Sequence, residues 1–352
     1  MGIKEQNLQL TVVVPAYNAG TWLKRSIPAT MLAISKTRLK DVEILVVDDG
    51  STDNTAESIK DIPSKFPIRV ISQKNSGRFV ARETGTNNAK YDLILFIDSR
   101  IIIGKDSLKY ALERTNLADP TSRVWNSHVH INKDSIYARF WEAITFNVWR
   151  KYFINPRHIS YGLKDFDKYP KGTTCMLVSK SVMKQANKWF RTQTRDLKTS
   201  NDDTLLLRGI AKTDNINIGP KYHCSYNSRT SLRQFTKHVY HRGKVFVDGF
   251  LRNDGNAYFY LLILFLVGSF LILPMLALLP KLIIPALICL LTCWILMPIV
   301  MVARRTHLPD ALSFFILMPI FVICYGAGIW VMFIKQTLSK KNNVIDGVSD
   351  EN

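Results

Sequence analysis

The chain has 352 residues, 47% hydrophobic and 21% charged, and its 47 Lys and Arg against 28 Asp and Glu give a net charge of +19. A mean hydropathy of +0.01 in so charged a chain requires segregated apolar and polar residues, which excludes a disordered chain and a purely soluble globule. Of the five cysteines, Cys289, Cys293 and Cys324 lie in apolar runs, which excludes a disulfide-built secreted domain and reads as free thiols in a reducing compartment.

Residues 9–115 alternate short β-rich runs with helical stretches, the pattern of βαβ units on a parallel sheet. The order is a strand over residues 9–14, a helix over 20–37, a strand over 42–48 and a helix over 52–61. A strand over 68–73, a helix over 78–90 and a strand over 93–97 follow. Ligands of open α/β sheets bind beyond the carboxyl ends of the strands. Each of these strands ends in polar or turn-forming residues: Pro15-Ala16-Tyr17-Asn18, Asp48-Asp49-Gly50-Ser51, Asn75-Ser76-Gly77 and Asp98-Ser99-Arg100. Four such endings on one rim form a candidate site. No Gly-x-Gly-x-x-Gly or Walker-type loop occurs, so neither a dinucleotide site nor a P-loop is indicated.

Further along, a helix over residues 136–153 places Tyr137, Trp141, Ile144 and Val148 on one face and Phe146, Trp149 and Phe153 on another. Apolar residues on two faces mean burial on both sides, or one face on the core and one among lipid headgroups. Asp202 and Asp203 precede a helical stretch, where the macrodipole favours acids. His223 and Cys224 have no second ligand pair at zinc spacing. Residues 231–252 mix Arg233, Lys237, Arg242, Lys244 and Arg252 with Leu232, Phe235, Val239, Phe246 and Phe250. Such a basic amphipathic segment reads as an interfacial helix on anionic lipid, each Lys or Arg contributing about 1 kcal/mol near the surface.

Three runs, residues 257–280, 282–303 and 311–334, reach the roughly 20 apolar residues that span a bilayer. Lys281 is the only charge between residues 257 and 303, where a turn between two spans belongs. Apolar spans beside a basic segment make lipid the nearer anion, so no nucleic-acid partner is expected. The first apolar stretch, residues 10–15, is too short for a signal peptide, so the preceding domain is expected in the cytoplasm, in agreement with Arg304-Arg305. Three passes would then put Lys335, Lys340 and Lys341 outside, against the charge rule.

Val13-Val14-Pro15-Ala16-Tyr17-Asn18, then Val46-Val47-Asp48-Asp49-Gly50-Ser51-Thr52-Asp53, then Asn75-Ser76-Gly77 with Ala81-Arg82, closely resemble the family 2 glycosyltransferases of the GT-A fold. In order and spacing the resemblance runs from about residue 9 to about residue 245. It implies an α/β, Rossmann-like nucleotide-sugar-binding domain over residues 1–228, an interfacial segment over 229–256, transmembrane helices over 257–335 and a polar tail over 336–352. The protein would be integral to a bacterial plasma or inner membrane, with its catalytic domain cytoplasmic.

The resemblance also implies roles. Pro15, Tyr17, Asn18 and an acid of the Asp48–Asp49 pair hold the base of the donor, with Asn75, Gly77 and Arg82 beside them. Asp49-Gly50-Ser51-Thr52-Asp53 also has a plainer reading, an N-cap with a tight turn opening a helix, which accounts for Ser51 and Thr52 but hardly for two adjacent carboxylates at a strand end. Where the family has Asp-x-Asp, whose carboxylates contact the ribose and bind a divalent cation, this chain has Asp98-Ser99-Arg100. Asp98 remains as a ligand for Mn²⁺ or Mg²⁺, with waters and phosphates completing the shell. Arg100 either binds the diphosphate through its fork of donors or points to solvent.

The segment Ser200-Asn201-Asp202-Asp203-Thr204-Leu205-Leu206-Leu207 looks like the family's Glu-Asp-x-x-Leu, with Asp202 in the Glu position and Asp203 in that of the catalytic base. Lys171-Gly172-Thr173-Thr174-Cys175-Met176 matches the glycine-containing strand of the acceptor side, Cys175 being a small buried residue. Of a Gln-x-x-Arg-Trp type motif only Arg242 carries over, to a place beside the diphosphate.

The implied function is inverting transfer of a sugar from a nucleotide-sugar donor, UDP-linked in preference, to a hydroxyl of a membrane-presented acceptor such as a lipid-linked glycan or glycolipid. Transfer to a polyprenyl phosphate, already ionised and in little need of a base, is one alternative. A non-catalytic nucleotide-sugar-binding scaffold is another. A transporter is disfavoured because the spans hold no ionisable residue except Lys281.

Overall fold

The computed structural model describes residues 8–194, 197–198, 202–251 and 257–346. They form two compact units, one up to Asn132 together with Trp149–Ser228, the other Lys133–Val148 together with the chain from Arg229 on.

The first unit grows from four parallel strands, β1 (Gln9–Ala16), β2 (Asp41–Asp48), β3 (Ile68–Ser72) and β4 (Leu93–Ile97). β1 pairs with β2 and β4, and β2 with β3. Val12, Val13 and Val14 of β1, Leu45, Val46 and Val47 of β2 and all of β4 are buried. Parallel strands covered on both faces need such unbroken apolar runs. The connecting helices are α1 (Gly20–Ile34), α2 (Thr55–Lys60) and α3 (Arg78–Asn88), so strand ends and helix starts share one rim. β4 has the bounds expected from the sequence, while α2 begins three residues late. Asn18 Oδ1 takes the Thr52 N–H at 2.8 Å and Asp53 Oδ1 the Thr55 N–H at 3.1 Å, which holds residues 52–54 as a turn.

Past β4 the sheet changes character. In chain order come β5 (Ile101–Ile103), α4 (Ser107–Leu112), β6 (Val124–Asn126), β7 (His128–Ile131), α5 (Ile136–Val148), α6 (Arg150–Ile154), β8 (Ile159–Tyr161) and β9 (Cys175–Ser179). Then follow α7 (Lys180–Gln193), α8 (Asp202–Ile210), β10 (Ile216–Ile218) and β11 (His223–Tyr226). β9 runs antiparallel to β4 and β6, and the order is β3-β2-β1-β4-β9-β6-β10-β8, with β5, β11 and β7 as a second small sheet. The strand expected at residues 171–176 starts only at Cys175, and the residues before it form a loop. Cys175 and Cys224 are fully buried, and all five cysteines are unpaired.

The second unit contains α5, α9 (Leu232–Phe250), α10 (Ala257–Leu278), α11 (Ile283–Ala303) and α12 (Leu308–Asp346). The single helix expected over residues 136–153 is two, α5 and α6, separated at Trp149. Phe140 of α5 stacks on Phe314 of α12, centroids 5.5 Å apart, and meets Phe235 of α9 edge-on at 5.3 Å. Tyr137, Phe140, Trp141 and Ile144 pack against helices of this unit, whereas Val148 is half exposed and Phe153 packs in the core of the first unit. α9 is amphipathic as expected, burying Phe235, Val239, Gly243 and Val247 at helical spacing with Arg233, Lys237, His241 and Arg242 exposed. A Cβ on Gly243 would lie 2.1 Å from the Tyr325 carbonyl oxygen, and one on Gly328 would lie 2.2 Å from that of Tyr240. The backbones of α9 and α12 therefore touch. Asp310, 1% exposed at the start of α12, accepts from Lys133 Nζ at 2.9 Å and Arg139 Nη1 at 3.2 Å, the pairing a buried carboxylate requires.

Among the described residues, two helices are long and apolar enough to cross a membrane: Pro280–Ala303, 24 residues with mean hydropathy 2.6, and Leu308–Leu338, 31 residues with mean hydropathy 2.2. Of the third expected span, Tyr258–Ile272 forms a shorter apolar stretch. Large apolar side chains such as Leu264, Ile288 and Ile323 face outward.

Candidate active site

At the carboxyl end of β2, Asp48 and Asp49 are both buried, and backbone and side-chain donors surround them. Asp48 Oδ1 accepts from the Ser51 N–H at 3.0 Å and the Ser51 hydroxyl at 2.5 Å, the geometry of a turn cap. Asp49 Oδ1 accepts from Gln73 Nε2 and the Ser76 N–H, and its Oδ2 from the Gly77 N–H, all at 2.8 Å. Asp49 thereby ties the loop carrying Asn75 and Gly77 to the end of β2. Gly50 has φ +72, and a Cβ there would stand 2.7 Å from the Asn75 nitrogen, so the turn admits only glycine. From β1, the Asn18 N–H donates to Ser51 Oγ at 3.0 Å while Asn18 Oδ1 holds Thr52. Pro15 through Asn18, Asp48 through Ser51 and Asn75 through Gly77 are thus one hydrogen-bonded rim, with Tyr17 exposed on it. Among the described residues Asp48 Oδ2 takes no hydrogen bond, which leaves this end a carboxylate oxygen for a ligand N–H.

The carboxyl end of β4 brings a second set together. Asp98 Oδ1 accepts from Arg82 Nη2 at 2.7 Å, and Arg82, on α3, is 1% exposed. Burial pushes the Asp98 carboxyl above the usual range, and Arg82 and Arg78 pull against it without cancelling the effect. Arg78 lies one turn before Arg82 on the same face of α3, and its Nη1 is 3.6 Å from Asp203 Oδ2. Asp203, in the first turn of α8, also accepts from Thr173 through Oδ1, at 2.5 Å from the hydroxyl and 3.3 Å from the N–H. Asp98 with Arg82, and Asp203 with Arg78 and Thr173, therefore form two sets of contacts, close enough for the charges of Arg78 and Asp203 to act on the Asp98 carboxyl. Sequence reasoning singled out Asp98, Arg82 and Asp203 and missed Arg78 and Thr173. The four-residue spacing of Arg78 and Arg82 was a readable signal. The side chain of Asp202 lies outside the described residues, as does Asn201.

Other expected residues stand elsewhere. The Arg100 guanidinium lies 5.0 Å from the Trp22 ring, which Arg25 also approaches at 5.5 Å. Arg242 belongs to the second unit, where it lies 4.9 Å from the Trp141 ring. Beyond β9's leading loop, Lys171 pairs with Asp167 at 3.3 Å beside the Phe166 ring, and burial lowers its pKa. His223 neighbours His130, and His130 neighbours His128, yet the described residues include no group of three His, Cys, Asp or Glu placed to hold a metal ion.

Among the described residues, a divalent cation at this end would have few protein oxygens to bind beyond the second oxygen of Asp98. Such an ion wants oxygen ligands, commonly one or two carboxylates with phosphates and waters. One oxygen of Asp98 is committed to a buried guanidinium, and Arg100 takes the place of the family's second carboxylate. The other carboxylate nearby, Asp203, is engaged by Thr173 and faced by Arg78.

Comparison with known proteins agrees with the fold. Residues 11–137 match the model of Glycosyl transferase family 2. Glycosyltransferase GlyA of Streptococcus pneumoniae is 38% identical over 100 residues, 28% of this chain and 14% of that protein. Validoxylamine A glucosyltransferase of Streptomyces hygroscopicus subsp. jinggangensis is 33% identical over 105 residues, 29% of this chain and 24% of that one. A mannosyltransferase of Pyrobaculum calidifontis, solved with GDP-Man and Mn²⁺, superposes with a TM-score of 0.59 at 14% identity, over 94% of this chain and 89% of that one, and so shares the fold. Residues 11–137 therefore form a family 2 glycosyltransferase domain within a GT-A-like α/β fold. The chain spans less than a quarter of the length of these two curated relatives.

Proposed function

We propose that the protein is an inverting glycosyltransferase, anchored in a membrane by its C-terminal helices, that moves a sugar from a nucleotide-linked donor to a hydroxyl of a membrane-presented acceptor. The donor class favoured by the family resemblance is UDP-linked, and the acceptor a lipid-linked glycan or glycolipid. The carrying observation is Asp203, a partly exposed carboxylate held by Thr173 close enough for its charge to act on Asp98. Such a group can take the acceptor's proton as its oxygen attacks the anomeric carbon from the face opposite the leaving diphosphate. The base of the nucleotide would lie at the Asp48 end, with Asp48 Oδ2 accepting its N–H, and the sugar at the Asp98 end. The basic exposed face of α9 and the outward apolar surface of α11 and α12 fit a lipid surface and a bilayer. On this reading the catalytic domain is cytoplasmic.

The test supplies detergent-purified full chain with radiolabelled UDP- and GDP-sugars and a lipid extract. Label entering the organic phase with one donor class, and lost in Asp203→Asn, is the expected result. Label released only as free sugar would overturn the acceptor assignment. Transfer undiminished in Asp203→Asn would point instead to an ionised polyprenyl phosphate, which needs no base. No turnover of any donor, with nucleotide still bound, would leave the scaffold reading.

A further inference from the structure

We propose that α12 lies along the membrane surface instead of crossing it, so that the hairpin of α10 and α11 alone spans the bilayer. The outward stripe of α12 is then a docking surface for lipid, and the chain beyond Leu338 stays on the side of α9. The inference goes beyond the transferase reading and rests only on its membrane anchor.

Hydropathy does not separate these helices, but their surroundings do. α11 buries Met301 and exposes Leu287, Ile288, Leu290 and Leu296, which point in four directions around its axis. A helix apolar and exposed all round suits lipid on every side. α12 is one-sided. Leu312, Ile316, Ile323, Val331, Ile334 and Leu338 are exposed at helical spacing, while Ala311, Leu317, Ile329 and Met332 are buried on the opposite side.

That buried side is covered by other helices. Leu317 packs with Phe140 of α5 and with Phe235 and Val239 of α9, and Ile329 and Met332 pack with Val247 of α9. Between these clusters Gly243 meets the Tyr325 carbonyl. α9 therefore runs beside α12 from Leu317 to Met332, in the same direction.

The charges of α9 decide the orientation. Arg233, Lys237 and Arg242 are exposed, and Lys244 is half-buried. Tyr325, which touches the residue between Arg242 and Lys244, lies near the middle of Leu308–Leu338. Were α12 to cross, Arg242 and Lys244 would ride near the bilayer centre, at a cost of about 3 kcal/mol for each such cation. Lying in the plane, α12 turns its apolar stripe to the acyl chains, and α9 keeps its cations at the headgroups, where each contributes about 1 kcal/mol. Length agrees. α10, with 22 residues, is about 33 Å long and matches a core of roughly 30 Å, whereas Leu308–Leu338 would be about 46 Å. The charge rule is then obeyed as well. Two passes keep Lys335, Lys340 and Lys341 on the side of Arg304 and Arg305, with Lys281 at the hairpin turn on the other.

The test is labelling of the full chain in sealed membrane vesicles of known orientation with a membrane-impermeant maleimide, after an alkaline carbonate wash. Cysteines are introduced as Lys237→Cys on α9, as Lys281→Cys in the hairpin turn, and as one appended after Asn352, each compared with the unaltered chain. The appended cysteine should label in the vesicles in which Lys237→Cys labels, and be protected in those in which Lys281→Cys labels. Arg233→Cys and Pro280→Cys carry the comparison if the first variants do not accumulate. An appended cysteine that labels together with Lys281→Cys, opposite Lys237→Cys, means that α12 crosses; it overturns the inference and leaves the anchor standing. Lys281→Cys labelling from the side of Lys237→Cys also overturns it, because the hairpin then does not span. Release of the chain by carbonate overturns the anchor itself, and the inference with it.

Discussion

Two pairs of carboxylates face the carboxyl rim of this sheet, and they are held in opposite ways. Asp48 and Asp49 are adjacent in sequence and fastened mainly by short donors of their own rim: the Ser51, Ser76 and Gly77 N–H groups, the Ser51 hydroxyl and the Gln73 amide. Asp98 and Asp203 are far apart in sequence and are faced by the long side chains of Arg82 and Arg78. Backbone donors cannot leave without unfolding a loop. The first pair therefore makes a fixed seat, and the second is faced by side chains that the fold brings from elsewhere in the chain.

The largest test of that contrast is Asp203→Asn, which should lower transfer about 10²–10⁴-fold while nucleotide affinity stays the same, measured by label transfer and calorimetry. If both fall together, Asp203 belongs to the seat and the contrast fails. Asp49→Ala should act the other way, through stability. It strands the Gln73, Ser76 and Gly77 donors, at a cost of about 3 kcal/mol visible as a lowered unfolding temperature, and nucleotide affinity should drop with it.

Thr173→Val probes how Asp203 is held. Removing the hydroxyl that donates to Asp203 should lower the transfer rate about tenfold, measured by label transfer. Thr173→Ser should restore it. The smallest effect concerns Asp98. Because burial holds its folded-state pKa above the ordinary 3.8, its contribution to stability is fully present below that value and is lost as pH rises through the raised one. Asp98→Asn should flatten that part of the stability–pH curve, read from unfolding temperatures across acid pH.

The seat was legible in the sequence and much of the second set was not. Parallel strands buried on both faces read as apolar runs, and Asn18, Gly50 and Gly77 punctuate their ends, so β1 to β4 and their loops follow from local pattern. Beyond Arg100, β5, β6, β7 and β8 have three or four residues each, too few to show a period. Thr173 meets Asp203 across 30 residues of chain, a pairing that only the fold creates. Trp22 beneath Arg100 joins α1 to the end of β4 in the same non-local way. The segment around Phe140 showed its two apolar faces in sequence, but Phe314 and Phe235 as partners are a product of packing.

Where Gly243 of α9 passes Gly328 of α12, no side chain stands between the two backbones. A joint of that kind has no rotamers to re-choose and cannot be tuned in small steps. A methyl group at either position must drive the helices apart, and no neighbouring substitution can compensate, because the opposing atoms are backbone. In any lineage descended from this chain, both positions stay glycine or the crossing is abandoned.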